Sequence, residues 1–222
     1  MSTEMKRRAF FTRVAGCAVG SAALSRAAAG GSPQDGANVE LAPEKWDTSW
    51  IDGLKGSHKL VFDLLWHTLR PNSLNPARNY LDVHKQVFGR ELPEVNVVLG
   101  MNSTSFAINA SDVLWAKLKL GERYNILDAD TGRPATRNVY LGSRGGGRPD
   151  TVLALQARGA VFMMCNKSMN ALTNDFSQEL GRPRLEVYAE LTAGLNAGVK
   201  VVPALTWALS TLQERGFTYA KL

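Results

Sequence analysis

The fold is decided by the stretch Gly159-Ala-Val-Phe-Met-Met-Cys165, in which a glycine precedes six consecutive apolar residues. A short apolar run without polar alternation is typical of a strand that is covered on both faces. The residues before it, 149–158, and those after it, 166–180, have apolar positions at helical spacing. A strand between two helices is the repeating unit of a parallel α/β sheet, so this stretch predicts that class of fold.

The same alternation continues in both directions from this strand. Four further apolar runs predict strands at 59–66, 95–101, 199–204 and 217–222. Helical spacing predicts helices at 73–89, 111–121, 185–195 and 205–215, most of them followed by a glycine that ends the helix. The chain is therefore predicted to form a single doubly wound α/β domain with a mostly parallel five-stranded sheet and helices on both faces.

The first 29 residues have the organisation of an export leader. Lys6-Arg7-Arg8 precedes a Phe-Phe pair and an uncharged stretch, and Ala27-Ala-Ala29 supplies the small residues of a cleavage site. This pattern resembles the twin-arginine signal, which implies export of a folded protein to the periplasm. The uncharged run of about 11 residues is shorter than the roughly 20 residues that a membrane-spanning helix needs.

An alternative for the leader is lipidation at Cys17. The sequence Val14-Ala-Gly-Cys17 also matches a lipoprotein cleavage box, in which Cys17 becomes the acylated first residue. Too little of an apolar segment precedes Cys17 to favour this interpretation over cleavage after Ala29. Beyond the leader, residues 30–56 are rich in polar residues, glycine and proline and are predicted to be a flexible linker to the domain at 57–222.

Removal of the leader changes the charge and the cysteine count. The whole chain has a net charge of +6, whereas residues 30–222 carry 21 basic and 19 acidic residues and a net charge of +2. No run of Lys and Arg with interleaved aromatic residues remains, so the sequence gives no support for nucleic-acid binding. Cys165 is then the only cysteine, which excludes an intramolecular disulfide in the processed chain.

Ligands of doubly wound sheets bind beyond the carboxyl ends of the strands. The residues predicted there are His67, then Asn102 and Ser103, then Cys165 with Asn166 and Lys167, and finally Thr206 and Trp207.

Cys165 is the residue in this set with reactive potential. It ends a strand directly before a helix, and both the helix start and the Lys167 ammonium would favour its thiolate, which is the nucleophilic form of cysteine. Asn166 is predicted to cap this helix. A buried cysteine that only packs is the equally favoured alternative on spacing alone.

Three segments together resemble the DsrE/DsrF-like family: 159–169 around Cys165, 198–204, and 212–219 at the end of the chain. The resemblance covers most of 57–222, and the order of elements agrees throughout. It implies a small α/β fold, a homo-oligomer, and a cysteine that carries sulfur as a persulfide, which here is Cys165. The chain departs from the cytoplasmic sulfur-relay members in its leader, in a long insertion at 128–148, and in the pair Asn166-Lys167 after the cysteine.

The remaining motifs carry less information. His58, His67 and His84 lack the spacing of a zinc site. His67 becomes a candidate base or counter-ion for Cys165 only if the first and third strands are neighbours, and a solvated loop histidine is the favoured alternative. The loop Arg144-Gly-Gly-Gly-Arg148 lacks the ending of a phosphate loop, and Met163 and Met164 are expected on opposite faces of their strand, where they pack instead of binding copper.

The sequence thus leaves two main functions open. The first is a periplasmic sulfur carrier or thiol-redox protein that uses Cys165 with Asn166, Lys167 and His67, and whose partners are small sulfur species or a thiol protein. The second is a non-catalytic module of the same fold that binds a small ligand or assembles, with Cys165 in packing. No cofactor or metal motif is present, although folded export is also used for proteins that acquire a cofactor before export.

Overall fold

The structure of the protein is a computed structural model, which describes residues 39–64, 69–70, 72–142 and 148–222. The predicted leader and Cys17 lie outside the described residues. The predicted strands are present: β1 is His58–Leu64, β2 is Val95–Met101, β3 is Val161–Cys165, β4 is Lys200–Val202 and β5 is Thr218–Lys221. They form one sheet in the order β4-β3-β2-β1-β5, and every neighbouring pair is parallel.

The α-helices of the described residues are, in chain order, α1 Ser49–Asp52, α2 Asn75–Phe88, α3 Phe106–Asn109, α4 Asp112–Lys117, α5 Leu120–Arg123, α6 Val152–Ala157, α7 Asn166–Leu180, α8 Arg184–Ala193 and α9 Leu205–Glu214. A short 3₁₀ helix, Ser103–Ser105, precedes α3.

The helices cover both faces of the sheet, as predicted. Buried residues of α2 to α8 form one hydrophobic cluster with alternate residues of β1, β2 and β3, including Phe62 and Phe162. The second cluster lies on the opposite face, where α1 and α9 cover Val61, Val98 and Met163. Met163 and Met164 therefore point to opposite faces, as expected from strand geometry.

The central position of β2 follows from its composition. All seven of its residues are buried, and it pairs with β1 on one side and β3 on the other. A strand without charged residues can be buried on both faces, as a central strand of a parallel sheet must be. The edge strand β5 is mostly exposed and contains Lys221, which is the composition expected of a strand with one unpaired side.

Two predicted helix boundaries are wrong. Ser111 caps a helix as predicted, because its hydroxyl accepts from the Leu114 amide at 3.5 Å, but the helix ends at Lys117 and a new one contains Gly121. A side chain at Gly121 would lie 2.0 Å from the Ala135 carbonyl oxygen, so this glycine permits close approach of the following loop and does not end the helix. The helix predicted from residue 149 begins at Val152, where the Thr151 hydroxyl accepts from the Ala154 amide.

The segment predicted as a flexible linker is in part packed on the domain. Residues 39–56 are described, and they contribute Ile51 to the cluster beneath α9. The Leu41 amide donates to Asn170 at 2.8 Å, and the Gly56 amide donates to Asn96 at 2.7 Å. These contacts span 129 and 40 residues of sequence, so the attachment of this segment depends on pairs that its composition does not indicate. Residues 30–38 lie outside the described residues.

Within the described part of the chain, none of the helices combines the length and the apolar character that crossing a membrane requires.

Candidate functional site

Cys165 lies where the connections of the sheet diverge. β1, β2 and β3 lead into helices on one face, whereas β4 leads into α9 on the other. The carboxyl ends of β3 and β4 therefore form the topological switch point, the place where doubly wound folds bind ligands. Cys165 is the last residue of β3, and its side chain belongs to the cluster beneath α9.

The sulfur of Cys165 is held by the start of α9. The backbone amide of Leu205, the first residue of α9, donates to Sγ at a distance of 3.3 Å. Cys165 is also the residue that precedes the first turn of α7. The start of the 10-residue helix α9 thus supplies a backbone donor to the thiol, whereas the Cys165 side chain makes no capping hydrogen bond to the 15-residue helix α7.

Gly100 makes this contact sterically feasible. A methyl group at Gly100 in β2 would lie 2.5 Å from Cδ1 of Leu205 and 2.8 Å from Cε of Met163. Because Gly100 has no side chain, Leu205 packs directly on the sheet and its amide reaches the sulfur in the neighbouring strand. This is the position at which a glycine within a strand marks the close approach of another element.

Asn166 does not cap α7, contrary to the prediction. Cys165 occupies the cap position, Asn166 is the first helical residue, and no side chain accepts from the first turn. The fully buried amide of Asn166 instead accepts from the Tyr188 hydroxyl at 2.6 Å and donates to the Leu41 carbonyl at 2.9 Å. Burial raises the pKa of Tyr188, which keeps its hydroxyl a donor.

Lys167 lies at the first turn of α7, but its ammonium has a different partner from the one predicted. The side chain is 63% exposed and pairs with the carboxylate of Glu40. The hydrogen bond from Lys167 holds the pKa of Glu40 below its usual value. Lys167 therefore supplies positive charge next to Cys165 in sequence, while its recorded contact is with the N-terminal segment.

His67 lies outside the described residues. The condition on which its proposed role depends is not met, because β2 separates β1 from β3 in the sheet. The carboxyl ends of β1 and β3 are thus two strand spacings apart, about 10 Å.

Sequence reasoning missed one feature of the carboxyl edge, at the end of β2. Ser103 has φ 50°, a left-handed conformation that is uncommon for a residue other than glycine. Its amide donates to the hydroxyl of Ser168, in the first turn of α7, at 2.5 Å. This bond joins the end of β2 to the start of α7. No local sequence pattern indicates it, since 65 residues separate its two partners.

The other sequence candidates contribute less. Thr206 and Trp207 are the second and third residues of α9 and are exposed. Arg148 pairs with Asp150 at 2.9 Å, and residues 143–147 of the glycine-rich loop lie outside the described residues. Where the structure describes the chain, no group of three or more His, Cys, Asp or Glu side chains is placed to hold a metal ion.

A second group of titratable side chains lies at the opposite end of the sheet. His58 begins β1 and its ring centroid is 4.8 Å from that of His84 in α2. Arg90 contacts Nε2 of His58, and since a guanidinium can only donate, that nitrogen accepts. The pKa of His84 is lowered by burial, and the charges of His58 and Arg90 lower it further.

Two cavities are distinct from the Cys165 site. One, of about 220 Å³, is lined by Leu81, Leu92 and Arg158 among others. The other, of about 480 Å³, lies between Lys117, Arg123 and Phe176. Their lining residues include neither Cys165 nor the start of α9.

Comparisons of the chain with models of protein families, with curated proteins and with solved structures found no match. The fold and the geometry around Cys165 are therefore the basis for a function.

Proposed function

We propose that this chain is an exported DsrE-like protein in which Cys165 accepts sulfur as a persulfide and passes it to a thiol. The observation that carries the proposal is the hydrogen bond from the Leu205 amide to Sγ of Cys165 at the switch point of the sheet. Doubly wound folds place ligands at this point, and backbone amides of helix starts stabilise anionic sulfur. The resemblance of residues 159–169 to the DsrE/DsrF-like family supports the same role.

The proposed transfer is balanced without an external oxidant. The thiolate of Cys165 attacks the terminal sulfur of a low-molecular-weight persulfide, the sulfur–sulfur bond of the donor breaks, and the donor leaves as a thiolate. Cys165 then carries one additional sulfur atom, which a second thiol removes by the same exchange. The amide of Leu205, which donates to Sγ, is the backbone group that stabilises negative charge on the attacking sulfur.

The export part of the proposal is supported by the sequence of the leader. Arg7 and Arg8 precede the uncharged run, and removal of residues 1–29 leaves Cys165 as the single thiol. In the periplasm a single cysteine has no intramolecular disulfide partner, so its reaction with small sulfur species does not compete with internal cross-linking.

The test uses protein purified from the periplasmic fraction and exposed to glutathione persulfide or to thiosulfate. Mass spectrometry of the peptide that contains Cys165 is expected to show one added sulfur atom, and dithiothreitol is expected to remove it. Cys165→Ser, which keeps the size and removes the thiol, is expected to gain no sulfur. Absence of added sulfur in the folded wild-type protein contradicts the carrier role, and recovery of the protein from the cytoplasm alone contradicts export.

The second candidate function is a non-catalytic module of the same fold, and the burial of Cys165 favours it. The residue is only 2% exposed and packs among Val202, Leu205 and Ala208, as a structural cysteine does. Under this alternative, Cys165→Ser retains the assembly state and any bound small molecule, and the wild-type thiol is inert towards persulfides in the folded protein. The same experiment thus separates the two candidates.

A further inference from the structure

A second polar site lies at the carboxyl edge of the sheet, on the face that does not contain the side chain of Cys165. α2 follows β1 and α6 precedes β3, so both helices begin at this edge. Tyr140, from the connection between α5 and α6, packs in the hydrophobic cluster of this face. Burial raises the pKa of Tyr140, whereas the Arg148 charge and the Ser73 hydroxyl lower it. The phenol oxygen therefore lies near the residues that precede both helices.

The hydroxyl of Tyr140 has no hydrogen-bond partner in the part of the chain that the structure describes. The residue is only 1% exposed, so bulk water does not replace that partner. The nearby Ser73 hydroxyl donates to the Arg70 carbonyl at 2.8 Å and accepts from the Arg70 amide at 2.9 Å. A buried hydroxyl without a partner lowers the free energy of unfolding, because water solvates it in the unfolded chain. An acceptor from outside the chain would remove this cost.

Arg78, the fourth residue of α2, presents a second donor without an acceptor. Its Nη1 donates to Asp82 at 3.1 Å, whereas its Nε is buried and has no partner among the described residues. Burial raises the pKa of Asp150, but the Arg148 guanidinium and the Arg78 charge hold it below its usual value. Arg148 itself donates to both carboxylate oxygens of Asp150, at 3.2 and 2.9 Å. The guanidinium of Arg78 thus lies near the start of α6, and the nearby carboxylate already has a cationic partner.

The start of α2 has no negative charge of its own. Its cap residue, Leu74, makes no side-chain hydrogen bond, and the first turn of this 14-residue helix contains no acidic residue. A helix start carries partial positive charge, to which Arg78 adds. Ion pairs near α2 and α6 join three guanidinium groups to two carboxylates: Arg78, Arg148 and Arg158 to Asp82 and Asp150. One positive charge is therefore in excess where two donors lack acceptors.

We propose that the start of α2 binds a small tetrahedral oxyanion, sulfate or phosphate, between Tyr140 and Arg78. The Tyr140 hydroxyl and Nε of Arg78 donate to its oxygens, and the start of α2 stabilises its charge. The donors belong to different segments of the chain, so they require oxygens in more than one direction, which a tetrahedral ion presents. The near-complete burial of Tyr140 limits the ligand to a small ion. The site is independent of the proposed sulfur chemistry.

The test is isothermal titration calorimetry of the folded full-length chain with sodium sulfate and with sodium phosphate at constant ionic strength. Saturable binding of one anion per chain is expected. Tyr140→Phe keeps the ring and removes only the hydroxyl, so the dissociation constant is expected to rise about ten- to a hundredfold, the effect of one hydrogen bond to a charged group. Arg78→Lys keeps the positive charge and removes the Nε donor, and is expected to weaken binding as well.

Tyr188→Phe is the matched control. It removes a mostly buried hydroxyl that has its own acceptor, Asn166, and is expected to leave the anion affinity unchanged. Urea unfolding without sulfate or phosphate provides a second measurement. Tyr140→Phe is expected to unfold at the same or a higher urea concentration than the parent chain, because the lost hydroxyl had no partner, whereas Tyr188→Phe is expected to unfold at a lower one.

Absence of saturable binding of both anions by the folded parent chain overturns the site, as does equal affinity in the parent and Tyr140→Phe. A lower urea midpoint of Tyr140→Phe without anion also overturns it, because the hydroxyl then has a partner such as a bound water. Binding of either anion with the expected loss in Tyr140→Phe supports the site, and the tighter of the two identifies the ligand. Neither measurement involves Cys165, so failure of sulfur uptake leaves this site intact.

Discussion

Cys165 and the histidine pair His58 and His84 lie at opposite ends of the sheet, and their surroundings differ in kind. The thiol is at the carboxyl end of β3, where a backbone amide reaches it and two helix starts converge. His58 is at the amino end of β1, where its contacts are side chains: His84, Phe88 and Arg90. In a parallel sheet the helix starts gather at the carboxyl ends, so only that end offers oriented backbone donors to an anion.

The two ends of the sheet also differ in which groups carry the nearby positive charge. Near His58, the positive charge of Arg90 is carried by a flexible side chain in partial contact with solvent, which screens it. Near Cys165, the favourable potential comes from the backbone and is fixed as long as the helices are folded. The electrostatic potential at Cys165 therefore depends on the packing of the helices. The potential at His58 and His84 depends instead on pH and ionic strength. Three predictions test this difference.

The largest effect is expected from Gly100→Val. The added side chain enters the space of Leu205 and Met163, and overpacking of this kind costs about 3 kcal/mol of the free energy of unfolding. It also displaces the Leu205 amide from Sγ, so sulfur uptake by Cys165 is expected to fall. Urea unfolding and peptide mass spectrometry measure the two effects. Gly53→Ala is the control, since its added methyl group meets only the Trp50 carbonyl, at 3.3 Å; equal losses in both variants would refute the specific role of Gly100.

An intermediate effect is expected from Asn166→Ala. The substitution leaves the buried Tyr188 hydroxyl without its acceptor and removes one of the donors to Leu41, which costs about 2 kcal/mol. The N-terminal segment, residues 39–48, is expected to loosen, so limited proteolysis within it becomes faster. Asn174→Ala, in the same helix but half-exposed, is expected to cost less than about 1 kcal/mol. Unchanged proteolysis in Asn166→Ala would show that this segment is held by other contacts.

The smallest effect is the pH dependence of the histidine region. The pKa of His84 is lowered in the folded state, so the unfolded chain binds a proton first as the pH falls through about 6.5. Stability contributed by the neutral His84 is complete above that pH and is lost as the pH falls towards the folded pKa. Because the ring is partly exposed, the loss is expected to be below about 1 kcal/mol.

Urea midpoints at pH 7.5 and pH 5.5 measure this dependence. His84→Phe, which keeps an aromatic ring next to Tyr80 and Phe88, is expected to show a smaller decrease between the two pH values than the parent chain. Parent and variant with the same decrease would show that other groups, and not the histidine pair, account for it.

The parts of the fold that the sequence predicted are those determined by local pattern. β2 at Val95–Met101 and α7 at Asn166–Leu180 match their predicted bounds, since an unbroken apolar run and an amphipathic period are each visible within the segment itself. β4 is shorter than predicted, Lys200–Val202, because an edge strand pairs only as far as its single neighbour permits.

The site was predictable only in part. The carboxyl-end rule placed Cys165, Asn102 and Ser103 at the correct edge of the sheet, because it requires only the order of strands and helices. The bond from Leu205 to Sγ and the contacts of Leu41 depend on pairs separated by 40 to 129 residues. No local pattern in the sequence encodes such pairs. Which strands lie next to β1 and β3 likewise depends on the topology of the whole sheet.

α9 connects the Cys165 site with the opposite edge of the sheet. This helix begins at Leu205, next to Cys165, and leads through Phe217 into β5, at the edge of the sheet farthest from β4. Ten residues of helix measure about 15 Å, and the four spacings between β4 and β5 measure about 19 Å, so α9 and the residues after it connect the two edges of the sheet. A group added to Sγ would meet the backbone amide of Leu205, which lies 3.3 Å from the sulfur. The chain after α9 leads into β5, a strand that pairs with β1 alone among the described strands, so the helix that contacts Cys165 is connected to the edge of the sheet with an unpaired side.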